Sequence, residues 1–502
     1  MDSLDWISKW ADYTPSKTAV VSHESNEMFS YKDLDEYANN LSIHFEKLKL
    51  TEGDRIAILA EHGPLYIILL ACCQRMGLIL TPLNYRLAPF EITHLLEDCN
   101  PKLLIYNETF SEKLDYNSCK NIPNQLTLND VKNLYQEKTL QQHSPLTIKE
   151  NNPIFLFYTS GTTGKPKGVL YTNKMMFWNS LNTSMQLGIT FKDSTLNVLP
   201  PYHTSGWNIF ITPILHKGGS ITIIEKFDPE KTLQLLEDTK TTLFLALPTM
   251  LLMMQKTSQF QKVDLSALRY IISGGEIVGF DMVSHWKKHK NIDIRPGYGL
   301  TEAGPSITSL HHDKTLEKPN SIGKPNFYLD LKIVNENNEE VKNNEVGEIC
   351  ISGNIITPAY WNNSVETKNK IKDGWLYTGD LAYRDEEGYL FLKGRKDDMY
   401  ISGGENIYPQ EIESFIEQIP SVTKAIVLPI DDNKWGKSSV AFVTSTDSSM
   451  NEFDIRKYLK GNLADYKHPK AIFLLSEIPL TSLGKVSRKQ LFQYFHSLIS
   501  ES

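Results

Sequence analysis

Short apolar runs alternate with longer stretches of helical periodicity along most of this chain. Runs with strand character stand at 55–59, 103–106, 154–157, 196–199, 221–224, 243–245 and 270–272. Helical patterns lie between them, including one that starts at Asp228-Pro229, where an N-cap residue precedes proline in the first turn. That alternation predicts α/β layers with substantial parallel sheet. Residues 107–152 are instead polar and rich in Asn, Lys and Gln, which predicts a surface excursion. The longest apolar stretch, 65–73, is broken by Gln74 and Arg75; it is too short to span a bilayer and predicts a buried helix.

After Arg395 the texture changes. A glycine-rich turn, Ser402-Gly403-Gly404, leads to Pro409 and an amphipathic pattern with Ile412, Phe415, Ile416 and Ile419 on one face. Strand-like segments at 425–429 and 440–444 and a polar helix at 453–462 follow. The expected architecture is therefore a large, multi-layer N-terminal α/β domain over 1–395 and a small α+β C-terminal domain over 396–502.

Composition narrows the class. A chain of 502 residues with 40% hydrophobic and 22% charged residues is ordinary for a soluble globular protein. A net charge of −8 argues against nucleic acid or an anionic membrane as a partner. Cys72, Cys73, Cys99, Cys119 and Cys350 are irregularly spaced with no CxxC pair, so neither a disulfide framework nor a zinc site is indicated. Reduced thiols, and an N-terminus without a signal-peptide core, fit a cytoplasmic protein. His285 and His289 have the spacing of a metal pair, but lysines between them and the absence of an HExxH glutamate favour a solvated helix face.

The densest chemistry is in YTSGTTGKPKG, Tyr158 to Gly168. Gly161, Gly164 and Gly168 free the backbone, Ser160, Thr162 and Thr163 add hydroxyl donors, and Lys165 and Lys167 add positive charge. Bare amides, hydroxyls and lysines suit a polyphosphate. Pro166 after Lys165 and the short glycine spacing distinguish the loop from a Walker motif.

Further motifs follow in order: PPYHTSGWN from Pro200, SGGEI from Ser273, YGLTEAG from Tyr298, YTGDL from Tyr377, GRKDD from Gly394, SGGENIYP from Ser402 and PLTSLGKVSR from Pro479. The set, spanning nearly the whole chain, resembles the adenylate-forming superfamily of acyl- and aryl-CoA synthetases, adenylation domains and luciferases. The resemblance implies an ATP- and Mg²⁺-dependent acid–thiol ligase. It joins a carboxylate to the α-phosphate of ATP and then passes the acyl group to coenzyme A. Aimed donors and cations are what such charge-concentrating transition states need.

By that resemblance, Thr159, Ser160, Gly161, Thr162, Thr163, Gly164 and Lys165 grip the phosphates. Thr301 meets the α-phosphate and Glu302 coordinates Mg²⁺, which needs only one or two protein oxygens. Tyr298 and Gly299, with Gly274, Gly275 and Glu276, hold adenine; Asp380 and Arg395 hold the ribose. Lys485 is the catalytic lysine of a mobile C-terminal cap, Asp397 its hinge, and Gly403 and Gly404 line the pantetheine channel. His203, Trp207 and Gly304 belong to the acyl pocket, His203 near the carboxylate and Trp207 as an aromatic gate or a core residue. Glu276, Lys437 and Arg295-Pro296 depart from the family pattern.

The acyl-pocket segments 204–208, 248–254 and 304–308 are apolar or small and offer no basic partner for a second carboxylate. The expected acid is a medium- or long-chain fatty acid, with an aromatic acid as the rival and transfer to a carrier protein as the alternative to CoA. The sequence is compatible with a homodimer without requiring one.

Overall fold

The computed structural model describes residues 4–500 apart from 115–118, 138, 140, 145, 148, 160–165, 276–277, 397, 403–404, 433–435, 464 and 482–485. Its contacts divide the chain into two units, 1–331 with 351–376, and 332–350 with 377–502.

The first unit carries the parallel sheets that the apolar runs predict. One runs in the order 124–127, 103–106, 55–59, 79–82, 153–159, 167–172, parallel except for the antiparallel last pair. The other contains 18–22, 220–223, 194–197, 243–245, 270–273 and 294–298 as parallel neighbours. Strands buried on both faces need unbroken apolar runs, which is why 55–59, 103–106, 243–245 and 270–272 were legible.

The helix Pro64–Met76 shows how the sheets are joined. It opens with proline in its first turn and closes on Gly77 in the left-handed conformation. Every residue from Tyr66 to Met76 is buried, and the helix packs on strands of both sheets. A helix apolar all round has no solvent face to keep polar. Arg75 is tolerated there because Asp5 at 2.7 Å and Asp35 at 2.5 Å neutralise it. The helix Pro229–Asp238 starts as expected, the Asp228 carboxylate accepting from the Lys231 amide at 2.8 Å.

Two expectations are corrected. The polar stretch 107–152 is more than an excursion: it supplies the edge strand Asn124–Thr127 and the helix Leu128–Gln136. Only Val131 and Tyr135 of that helix are buried, so its apolar signal is thin. The boundary at 395–396 also differs from the contact division. Residues 377–395 group with 332–350, because Thr378 Oγ1 donates to the Ile349 carbonyl at 2.9 Å and the Gly379 amide donates to Glu348 at 3.0 Å.

The second unit also contains the sheet 422–432, 436–445, 471–474 with the helices Pro409–Ile416, Glu452–Asn462 and Arg488–Ser500. Ile412, Ile416, Val427, Val443, Ile455 and Leu459 share one core. All five cysteines are buried and none is in a disulfide. Among the described residues, no helix is long and apolar enough to cross a membrane.

Candidate active site

Strands Pro153–Thr159 and Lys167–Thr172 form an antiparallel hairpin in which Tyr158 faces Gly168 and Thr159 faces Lys167. They flank the glycine-threonine loop, whose residues 160–165 lie outside the described residues. The Tyr158 hydroxyl donates to Asp98 at 2.6 Å; burial, helped by the neighbouring Cys99 and Asp98, pushes this phenol well above its ordinary value. Lys167 departs from its expected role as a loop cation: it pairs with Glu366 at 2.7 Å, both side chains largely buried. Its charge is committed to the hairpin root.

Residues 357–361 run beside this hairpin, the Trp361 amide donating to the Gly168 carbonyl at 2.7 Å. The same segment grips the Thr301–Ala303 turn. The Thr357 amide donates to the Glu302 carbonyl at 2.8 Å, and the Tyr360 hydroxyl donates to Glu302 Oε1 at 2.8 Å. Thr301 and Glu302 are thereby fixed next to the strand Lys167–Thr172, which follows the glycine-threonine loop. Among the described residues, no group of three or more His, Cys, Asp or Glu side chains forms a metal cage. A lone carboxylate is the donor set of a largely hydrated Mg²⁺.

Tyr298 ends the strand Ile294–Tyr298, held by the Ile307 amide on its carbonyl at 3.0 Å. The following turn is too tight for a side chain: a Cβ on Gly299 would lie 1.8 Å from the Pro305 carbonyl oxygen. Gly274 lies against the same strand, where a Cβ would meet the Gly297 carbonyl oxygen at 2.6 Å. The structure thus brings together Gly274, Tyr298, Gly299, Thr301, Glu302 and Gly304, with Gly275 next to Gly274. Arg295 is structural. It is buried, its guanidinium donating to the carbonyls of Leu310 and Gln186 and stacking over Tyr270, and burial lowers its pKa.

His203 sits in the turn after Pro200-Pro201, its amide donating to the Pro200 carbonyl at 3.3 Å and its ring 4.8 Å from Tyr202. Trp207 has the packing of a core tryptophan. It is fully buried, donates Nε1–H to the Pro201 carbonyl at 2.7 Å, and packs on Phe155 at 4.9 Å, His62 at 5.7 Å and Tyr66 at 6.1 Å. A ring held on three sides and hydrogen-bonded is not free to swing as a gate.

In the second unit, Asp380 and Arg395 oppose each other across strands 375–384 and 390–395, paired at 3.2 Å. The Asp380 amide donates to Thr378 Oγ1 at 3.0 Å and Arg395 donates to the Thr378 carbonyl at 3.3 Å. Lys437 pairs with Asp431 at 3.1 Å on the surface. Glu276, Asp397, Gly403, Gly404 and Lys485 lie outside the described residues. Sequence reasoning missed Tyr360, Asp98 and Glu366. No motif marks them, and each reaches its partner across a long stretch of chain. His285 stacks on Phe260 and lies 4.4 Å from His289, with burial lowering its pKa.

A family model described as AMP-binding enzyme matches residues 7–361, and one for the AMP-binding enzyme C-terminal domain matches 411–485. The chain is 32% identical to an indoleacetate–CoA ligase of Aromatoleum aromaticum over 98% of each chain. It is 28% identical to a long-chain-fatty-acid–CoA ligase of Mycobacterium tuberculosis, covering 99% of this chain and 100% of the relative. The solved o-succinylbenzoate-CoA synthetase of Bacillus subtilis, bound to its acyl-adenylate intermediate, superposes with a TM-score of 0.87 at 28% identity over 97% of each chain.

Proposed function

This chain belongs to the AMP-binding enzyme family, and on that premise we propose that the carboxylic acid it activates has a flat aromatic body. It is an acid–CoA ligase that works through an acyl-adenylate and uses ATP, Mg²⁺ and coenzyme A. The observation that carries the aromatic reading is the likeness, over 98% of both chains, to an indoleacetate–CoA ligase at 32% identity. A medium- or long-chain fatty acid is the second reading. The fatty-acid relative and the helix Pro248–Gln255, with its exposed Met253 and flanking Leu247, support it.

Within this function Glu302 would hold Mg²⁺, which when bound draws charge off the phosphate oxygens. Tyr360 keeps that carboxylate aimed. Tyr298 would stack on adenine, Asp380 would accept from the ribose hydroxyls with Arg395 beside it, and Lys485 would bring a cation to the reacting carboxylate. Asp397 would serve as hinge, Gly403 and Gly404 as the pantetheine face, and Ser160 to Lys165 as the phosphate grip. His203 would border the carboxylate.

The test is AMP formation with ATP, Mg²⁺ and CoA over a panel of arylalkanoic, cinnamic and straight-chain acids. Faster turnover of aromatic acids supports the reading. Preferential turnover of dodecanoate or longer acids establishes the second reading instead. Acyl-adenylate that accumulates despite CoA would point to a carrier-protein acceptor.

A further inference from the structure

Two ion pairs bracket position 397 within the second unit. Before it, Lys396 Nζ lies 3.0 Å from Glu348 and the Lys396 amide donates to the Gly379 carbonyl at 2.7 Å. These contacts tie Lys396 to the strands Gly347–Ser352 and Trp375–Arg384. After it, Asp398 lies 3.6 Å from Arg488, the first residue of the helix Arg488–Ser500.

Arg488 is itself anchored before it reaches Asp398. Its Nη1 donates to the Val427 carbonyl at 3.2 Å, and its Nη2 lies 3.6 Å from the Glu413 carboxylate. Glu413 is buried and accepts the Val427 amide at 2.8 Å. The guanidinium is thus fixed to the strand Val422–Asp432 and the helix Pro409–Ile416. The Asp398 and Arg488 side chains are 34% and 35% exposed, so solvent screens their attraction and the pair adds little to stability. What it fixes is geometry.

Arg488 also stands at the base of the segment that carries Lys485. Leu480 and Val486 form an antiparallel bridge, and the Ser487 amide donates to the Pro479 carbonyl at 2.8 Å. Gly403 and Gly404 come only a few positions after Asp398 in the chain, so they follow a rotation at 397 directly. Lys485 comes near the end of the chain and needs a tie back to that point.

We propose that Arg488 is a positioning residue for adenylation: through Asp398 it makes the base of the Lys485 segment turn together with the junction. The inference rests on the roles of Lys485 and Asp397 proposed above, and not on which acid is activated.

The experiment measures each half-reaction separately in Asp398→Asn, Arg488→Gln, the double variant and Lys485→Ala. Adenylation is read by ATP–pyrophosphate exchange, and transfer by thioester formation from supplied acyl-adenylate and CoA. The acid is whichever of indoleacetate, cinnamate and dodecanoate the wild-type enzyme turns over fastest. In Asp398→Asn the adenylation kcat is expected to fall by about three- to fivefold, the upper range for a half-exposed pair. In Arg488→Gln, which also takes the cation from Glu413, the expected fall is about 10- to 100-fold. KM for ATP and the thioester step stay at wild-type values. The double variant is no slower than Arg488→Gln, because the pair is already broken, and Asp398→Glu, which keeps the charge, restores the rate. Equal loss in both half-reactions would mean that the pair merely holds the small domain together, and overturns the proposal. So does an Asp398→Asn enzyme with wild-type adenylation; this exposed substitution decides the matter if thermal unfolding shows Arg488→Gln to be misfolded. Wild-type adenylation in Lys485→Ala overturns the role of the lysine and this inference together. Loss in Lys485→Ala alone overturns only the inference.

Discussion

Replacing Tyr360 by phenylalanine removes one oxygen and tests how the site aims the carboxylate proposed above to hold Mg²⁺. The Tyr360 ring is 5% exposed and its hydroxyl lies 2.8 Å from Glu302 Oε1. The backbone ties of this region do not involve that hydroxyl: Trp361 still bonds Gly168, and Thr357 still bonds the Glu302 carbonyl. The turn therefore stays in place while the carboxylate loses its anchor. A hydrogen bond to a charged acceptor contributes about 1.5–3 kcal/mol. At about 1.4 kcal/mol per factor of ten, that predicts a fall of about 10- to 100-fold in adenylation kcat/KM. Pyrophosphate release against Mg²⁺ concentration is the assay, with the Mg²⁺ requirement expected to rise as well. A Tyr360→Phe enzyme with the wild-type rate and Mg²⁺ dependence would show that Glu302 is held by its backbone alone.

Three other substitutions probe separate parts of the molecule. Lys485→Ala is expected to lower adenylation by about two to four powers of ten while still converting supplied acyl-adenylate to thioester; equal loss in both half-reactions refutes the role given to this lysine. Burial raises the Glu413 carboxyl from 4.5 to about 7 despite Arg488 at 3.6 Å. Because the folded value is the higher one, its stabilising contribution is complete below about pH 4.5 and is lost as pH rises through about 7. The difference in unfolding free energy between wild type and Glu413→Gln should change by about 3 kcal/mol across that window, read from urea melts at several pH values; parallel pH profiles would contradict it. Trp207→Ala should destabilise the protein by about 3–5 kcal/mol, as expected for a fully enclosed ring, and a thermal midpoint close to wild type would mean that the ring is not held by its neighbours.

Much of the fold could be read from the chain because parallel strands buried on both faces demand continuous apolar runs, as in 55–59 and 243–245. Asn124–Thr127 escaped notice because an edge strand can be polar, and this one is. Motif residues were legible where the chemistry is concentrated in a few consecutive positions, as in Tyr298 to Gly304. Lys167 was misread because only tertiary structure sets it beside Glu366. Trp207 could be weighed as gate or core but not decided, since that depends on rings contributed by His62, Tyr66 and Phe155.

The chain enters the second unit at Lys332, returns at Ile351 and enters again at Tyr377, and this path bears on synthesis. Glu348 leaves the ribosome before Gly379 and Lys396, the groups that later bind its carboxylate at 3.0 Å each. A nascent chain that stalls in between has a strand, Gly347–Ser352, without these later partners. Chains cut short there should be captured by chaperones or aggregate through that unpaired edge.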